Sequence, residues 1–156
     1  MNGVNNFARI RKYWQCLKWT LGVKPTFQNG KENGEYGEWL ARKYLKNKGF
    51  VVLYSNWRSL SDKRNEIDLI CMDQEMLVFV EVRARSENSF TTGFESLNKR
   101  KRTALLRSFK AYLREMQDCP PSYRFDVVEI DLPMSGNKNV EVFHHENIAI
   151  FHESLH

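Results

Sequence analysis

Cysteine is scarce in this chain. Cys16, Cys71 and Cys119 stand far apart among 156 residues and never form a Cys-x-x-Cys pair. That spacing excludes a disulfide framework, offers no zinc cage, and predicts buried thiols in a reducing compartment. Long hydrophobic runs are missing as well. The longest N-terminal apolar stretch, Tyr13 to Val23, is broken by Gln15 and Lys18. It is too short to span a bilayer and too interrupted for a signal peptide, so the expectation is a cytoplasmic protein without integral membrane association. Repeats and low-complexity tracts are absent too. A length of 156 residues predicts one domain with a single core.

Acidic residues are lacking from the first 26 positions, which carry Arg9, Arg11, Lys12, Lys18 and Lys24 and account for the whole net charge of +5. The chain therefore divides into a basic amphipathic extension, 1–26, and a balanced domain, 27–156. Within the extension Phe7, Ile10, Trp14, Leu17 and Leu21 form one apolar helical face. The spacing predicts docking on the chain's own domain or on a partner protomer, giving a homodimer through the extension. A nucleic-acid arm and attachment to a membrane surface are the alternatives.

What is present is an alternation of helical and strand patterns. Leu40, Tyr44 and Leu45 recur at helical spacing until Gly49, predicting a helix over 32–48. FVVLYSNW, from Phe50, reads as a strand, and SLSDKRN as a loop. IDLICMD and MLVFVEVRAR follow as a hairpin. Apolar residues 97, 104, 105, 109, 112, 113 and 116 predict a second helix ending before Pro120 and Pro121. RFDVVEIDL is another strand, PMSGNKN a turn, and VEVFHHENIAIF one or two short strands.

Two acids, Asp68 and Glu81, lie inside the hairpin. If Gln74 and Glu75 form its turn, then 73 faces 76 and Asp68 faces Glu81. Alternation puts Glu66, Asp68, Glu81 and Arg83 on one face. Opposed carboxylates repel, which a divalent cation between them reverses, and Mg²⁺ takes such oxygens in phosphoryl chemistry. Arg83 stands where it could steady an anionic transition state. The bland alternative pairs Glu66 with Arg83, and Asp68 or Glu81 with Arg85 or Lys63, on a solvated edge. A Gln-Glu turn also lacks the usual Gly or Asn.

GEYGEWLARKYLKNKGF, NEIDLI, LVFVEVRAR and RFDVV, in this order, resemble the YraN-like family of small bacterial proteins. That family is grouped with the restriction-endonuclease-like PD-(D/E)XK nucleases, and the resemblance covers roughly residues 30 to 130. It implies an α/β restriction-endonuclease-like core, a mixed central sheet flanked by helices. It implies Mg²⁺ or Mn²⁺ held by Asp68 and Glu81, with Glu38 from the first domain helix joining the metal site. Arg83 falls where the family has lysine. Arginine keeps its proton, so it can neutralise charge but not act as a base. Asn65 replaces the usual glycine of GEIDLI and is a residue that tolerates positive φ.

Helix 97–116 carries Arg100, Arg107 and Arg114 one heptad apart, with Lys110 beside them, a stripe suited to a phosphate backbone or simply to water. His144, His145, His152 and His156 cluster near the C-terminus, but adjacent strand histidines point to opposite faces and make a poor metal site. Asp126 reads as a hydrogen-bonded strand acid. The expectation is a metal-dependent nuclease acting on DNA, branched or damaged, with Glu38, Asp68, Glu81 and Arg83 in its site. The alternative is a non-catalytic nucleic-acid-binding module on the same scaffold.

Overall fold

The computed structural model describes residues 3–25, 30–86, 98–116, 122–133 and 139–150. Leu97, Cys119, His152 and His156 lie outside them, as does the side chain of Phe7. The elements run α1 (Gly3–Thr20), α2 (Gly30–Asn47), β1 (Val51–Arg58), β2 (Glu66–Asp73), β3 (Met76–Ser86), α3 (Lys99–Glu115), β4 (Tyr123–Leu132) and β5 (Glu141–His145). One five-stranded sheet has the order β1-β2-β3-β4-β5. Its β3/β4 pair is parallel and the other pairs antiparallel, so the sheet is mixed. A parallel pair needs a crossover, and α3 supplies it. This is the expected α/β architecture, consistent with a restriction-endonuclease-like core.

Each face of the sheet is closed by a helix chosen by its apolar stripe. α2 buries Tyr36, Gly37, Ala41 and Leu45 against Leu69, Cys71, Val78, Val80, Val128 and Ile130. Gly49, at φ 94, stops it, with Phe50 N–H donating to the Leu45 carbonyl at 3.0 Å and Gly49 N–H to Lys46. That pair of bonds satisfies carbonyls the helix end would otherwise orphan. On the opposite face α3 buries Leu105, Phe109 and Tyr112 against Ile67, Ile70, Leu77, Phe79, Phe125 and Val127. Phe109 stacks on Phe79 with centroids 4.4 Å apart.

Hairpin register follows the alternation. Asp73 pairs with Met76, Ile70 with Phe79 and Leu69 with Val80. Gln74 takes the left-handed turn conformation at φ 53, although it is neither Gly nor Asn. At the outer edge β1 slips register between Val52 and Tyr54, and Asn56 is also left-handed at φ 53.

The extension docks on its own domain, but not by the expected face. Trp19 is buried, its ring 5.2 Å from Tyr36 and 5.9 Å from Trp39, and Cys16 packs beside it. Ile10, Trp14, Leu17 and Leu21 stay exposed. The Tyr36 and Trp39 rings on α2 accept the indole of Trp19, and half a helical turn separates it from the apolar stripe. Cys16 and Cys71 are free thiols, and burial pushes the Cys71 thiol up to about 12.

Candidate functional site

Two buried acids on the sheet have opposite fates. Asp126, on β4, accepts from Arg124 Nε at 3.0 Å and from Asn147 N–H at 2.9 Å, and lies 2.9 Å from His144 Nε2. Burial alone would raise its pKa, yet these bonds outweigh it and hold the carboxyl below its ordinary value. It is the hydrogen-bonded strand acid that the sequence predicts. His144 packs inward against Tyr44 and Phe50, whereas His145 approaches Glu129 on the other face.

Among the described residues Asp68 makes no such ion pair. Its Oδ2 accepts from Val82 N–H at 2.8 Å, which places it across the hairpin beside Glu81. Desolvation, then the Glu81 charge and more weakly Glu38, raise the Asp68 pKa to about 7, against the opposing pull of Val82 N–H and Lys101. Glu81 is buried, and two cations approach the same oxygen, Oε1: Lys101 Nζ at 2.8 Å and Arg83 Nε at 3.3 Å. Asp68 thus feels the Glu81 charge and Arg83 lies beside Glu81, while the paired register itself ends at Leu69 with Val80 and does not include Asp68. Glu66 turns away to meet Arg58 at 2.8 Å on β1. Arg85 is likewise taken by Glu129.

Lys101 is the residue that sequence reading missed. Asn98 caps α3, its Oδ1 accepting from Lys101 N–H at 2.9 Å, and this fixes the first turn over the sheet face that carries Glu81. No regular spacing links a strand residue to one on the crossover helix. The run of four basic residues from Lys99 to Arg102 was the available signal, of which only Arg100 was read, as part of the stripe.

Glu38 reaches the site from the other side. Its neighbour Gly37 lies against β3, where an added Cβ would stand 2.4 Å from the Ala84 Cβ, so α2 can sit this close only with glycine here. Asn56 Nδ2 donates to Glu38 Oε2 at 2.7 Å, and Lys12 Nζ lies 3.8 Å from that oxygen. Glu38 therefore bears on Asp68 through its field, while its carboxylate is held by β1 and α1. Among the described residues no three His, Cys, Asp or Glu side chains close into a metal cage. Two carboxylates are what remains, a donor set that suits a partly hydrated hard cation.

On α3, Arg100, Lys110 and Arg114 are exposed along the expected stripe. Arg107 is exposed too, but its Nε donates to the buried Asn65 Oδ1 at 2.7 Å. Asn65 is not among the residues of positive φ. Its departure from glycine serves a side-chain bond that ties α3 to the start of β2, rather than a left-handed turn. Among the described residues no helix is long and apolar enough to cross a membrane.

Residues 37–130 match the sequence profile of the uncharacterised protein family UPF0102. A UPF0102 protein of Lawsonia intracellularis is 38% identical over 124 residues, 80% of this chain and 89% of the relative. One from Carboxydothermus hydrogenoformans is 34% identical over 123 residues, 79% and 99% of the two chains. One from Alkaliphilus oremlandii is 37% identical over 119 residues, 75% and 97%. The matched span runs from Gly37 through Asp68, Glu81 and Lys101 to Ile130, two residues short of the end of β4, so the whole candidate site lies within it. The chain belongs to the UPF0102 family.

Proposed function

We propose that the chain is a cytoplasmic, Mg²⁺- or Mn²⁺-dependent endonuclease that hydrolyses phosphodiester bonds in DNA, branched or damaged DNA in particular. The observation that carries this reading is the Asp68 and Glu81 pair. Two acids share a poorly solvated site, and Asp68 is raised to about 7 first by burial and then by the charge of Glu81. Such a pair is costly to a fold and is the mark of a functional site. Asp68 and Glu81 would hold the cation, with water and phosphate oxygens completing its shell. A bound Mg²⁺ supplies Lewis-acid polarisation of the phosphate and a more acidic water.

The chain's own residues do the rest. Glu38, steadied by Asn56, orients the attacking water. Arg83 and Lys101 offset the charge that gathers on the pentavalent phosphate. Lysine can in addition pass a proton to the departing oxygen, which arginine cannot. Arg100, Lys110 and Arg114 hold the DNA backbone.

Calorimetric titration of Mg²⁺ and Mn²⁺, beside cleavage assays on linear, single-stranded and junction DNA, tests the reading. Wild type should bind metal, and Asp68→Asn or Glu81→Gln should lose that affinity while staying folded. Arg83→Lys should retain or raise cleavage. Arg83→Ala and Lys101→Ala should lose cleavage and keep metal. Absence of metal binding at millimolar concentrations, with and without DNA, rejects the site. DNA bound but left intact by wild type and Arg83→Lys would return the chain to the second reading, a binding module, which arginine at position 83 favours.

A further inference from the structure

Helix α1 is docked with its apolar side outward. Ile10, Trp14, Leu17 and Leu21 follow one another at three- and four-residue steps, and Tyr13, three after Ile10 and four before Leu17, lies on the same side. All are exposed, Tyr13 by 69% and Leu21 by 72%. The inward side holds Cys16 and the buried Trp19, together with Lys12, which reaches Asn56 Oδ1 at 2.5 Å. The helix has thus found its seat on the domain and still presents a continuous apolar stripe to water. A surface of that kind is an interaction site rather than a stray hydrophobe.

Charge decides what covers it. Arg11, Lys18 and Lys24 are exposed around the stripe, and no acid occurs in the first 26 residues. Two copies meeting stripe to stripe would bring these cations together with nothing in α1 to offset them. Stacked nucleobases would use Tyr13 and Trp14 but find no π-face on Ile10, Leu17 or Leu21. A bilayer surface rich in anionic headgroups satisfies every part: hydrocarbon for the aliphatic stripe, the interfacial zone for Trp14 and Tyr13, and lipid phosphates for Arg11 and Lys18. We infer that α1 is an interfacial anchor that lays the protein on an anionic lipid surface. This is independent of whether the domain cuts DNA.

The test uses the full chain and sedimentation with vesicles of phosphatidylcholine alone or of equimolar phosphatidylcholine and phosphatidylglycerol. Binding is expected to the second only, to weaken with salt, and to be accompanied by a blue shift of tryptophan emission that Trp14→Phe removes. Arg11→Gln with Lys18→Gln should weaken binding about tenfold or more. Trp14→Glu with Leu17→Glu should abolish it, and because both side chains are exposed the far-ultraviolet dichroism should not change. No binding to phosphatidylglycerol vesicles overturns the inference. So does a dimer in sedimentation equilibrium that Trp14→Glu with Leu17→Glu dissolves while vesicles go unbound, which assigns the stripe to a second copy. Single-stranded DNA bound through the same residues, with vesicles unbound, assigns it to nucleic acid.

Discussion

The pH response of the folded protein should be dominated by one carboxyl. Asp68 binds its proton more tightly folded than unfolded, at about 7 against an ordinary 3.8. Stability therefore falls as pH rises between those two values and levels off above them. In metal-free buffer wild type should lose a few kcal/mol relative to Asp68→Asn across that window, as urea unfolding at successive pH values will show. Metal affinity should move the other way, climbing until the proton has left. Asp126 has the opposite sign: its folded carboxyl is held low, so its contribution is present above 3.8 and is lost on acidification. The positions of Asp68 and Glu81 were legible because hairpin alternation admits few registers once one face is apolar. Lys101 was not, because an ion pair between a strand and a crossover helix leaves no period in the sequence. Asn65 misled for a related reason: its identity as a tolerated turn residue says nothing of a side-chain bond to Arg107, 42 positions away.

Elements are set against one another by small residues and by caps. Gly37→Ala should cost about 1–3 kcal/mol, since the new methyl would collide with the Ala84 side chain, and Ala84→Gly in the same chain should recover much of the loss. A double-mutant cycle by chemical denaturation measures both. Glu38 rides on the same contact, so the single substitution should also disturb its bond to Asn56. Along α3 the exposed arginines are not equivalent. Arg100→Gln with Arg114→Gln should flatten the slope of log affinity against log salt for DNA by about 2, alike for all sequences. Including Arg107 in that change mixes in the loss of the Asn65 bond, so the pair is the cleaner probe; an unaltered slope returns the stripe to a solvated face. The helices and strands themselves were readable from periodicity, within a residue or two at α2 and α3. The orientation of α1 was not, because an apolar stripe announces burial and does not say in what.

At the scale of the whole molecule, topology separates the two acids from one of their two cations, Lys101, in time. The β2/β3 hairpin closes across a two-residue turn, a local event, whereas Lys101 meets Glu81 only after α3 has crossed the sheet and β4 has paired in parallel with β3. Local hairpins form in roughly microseconds and crossover pairings more slowly. A refolding chain thus passes through a stage in which Asp68 and Glu81 already lie close together with only Arg83, from the same strand, to offset them. That stage is a tollgate on the path to the native state. Asp68→Asn should lift it, steepening little in the unfolding arm of a chevron plot while the refolding arm moves to faster rates, and the gain should vanish in acid, where wild-type Asp68 is already neutral.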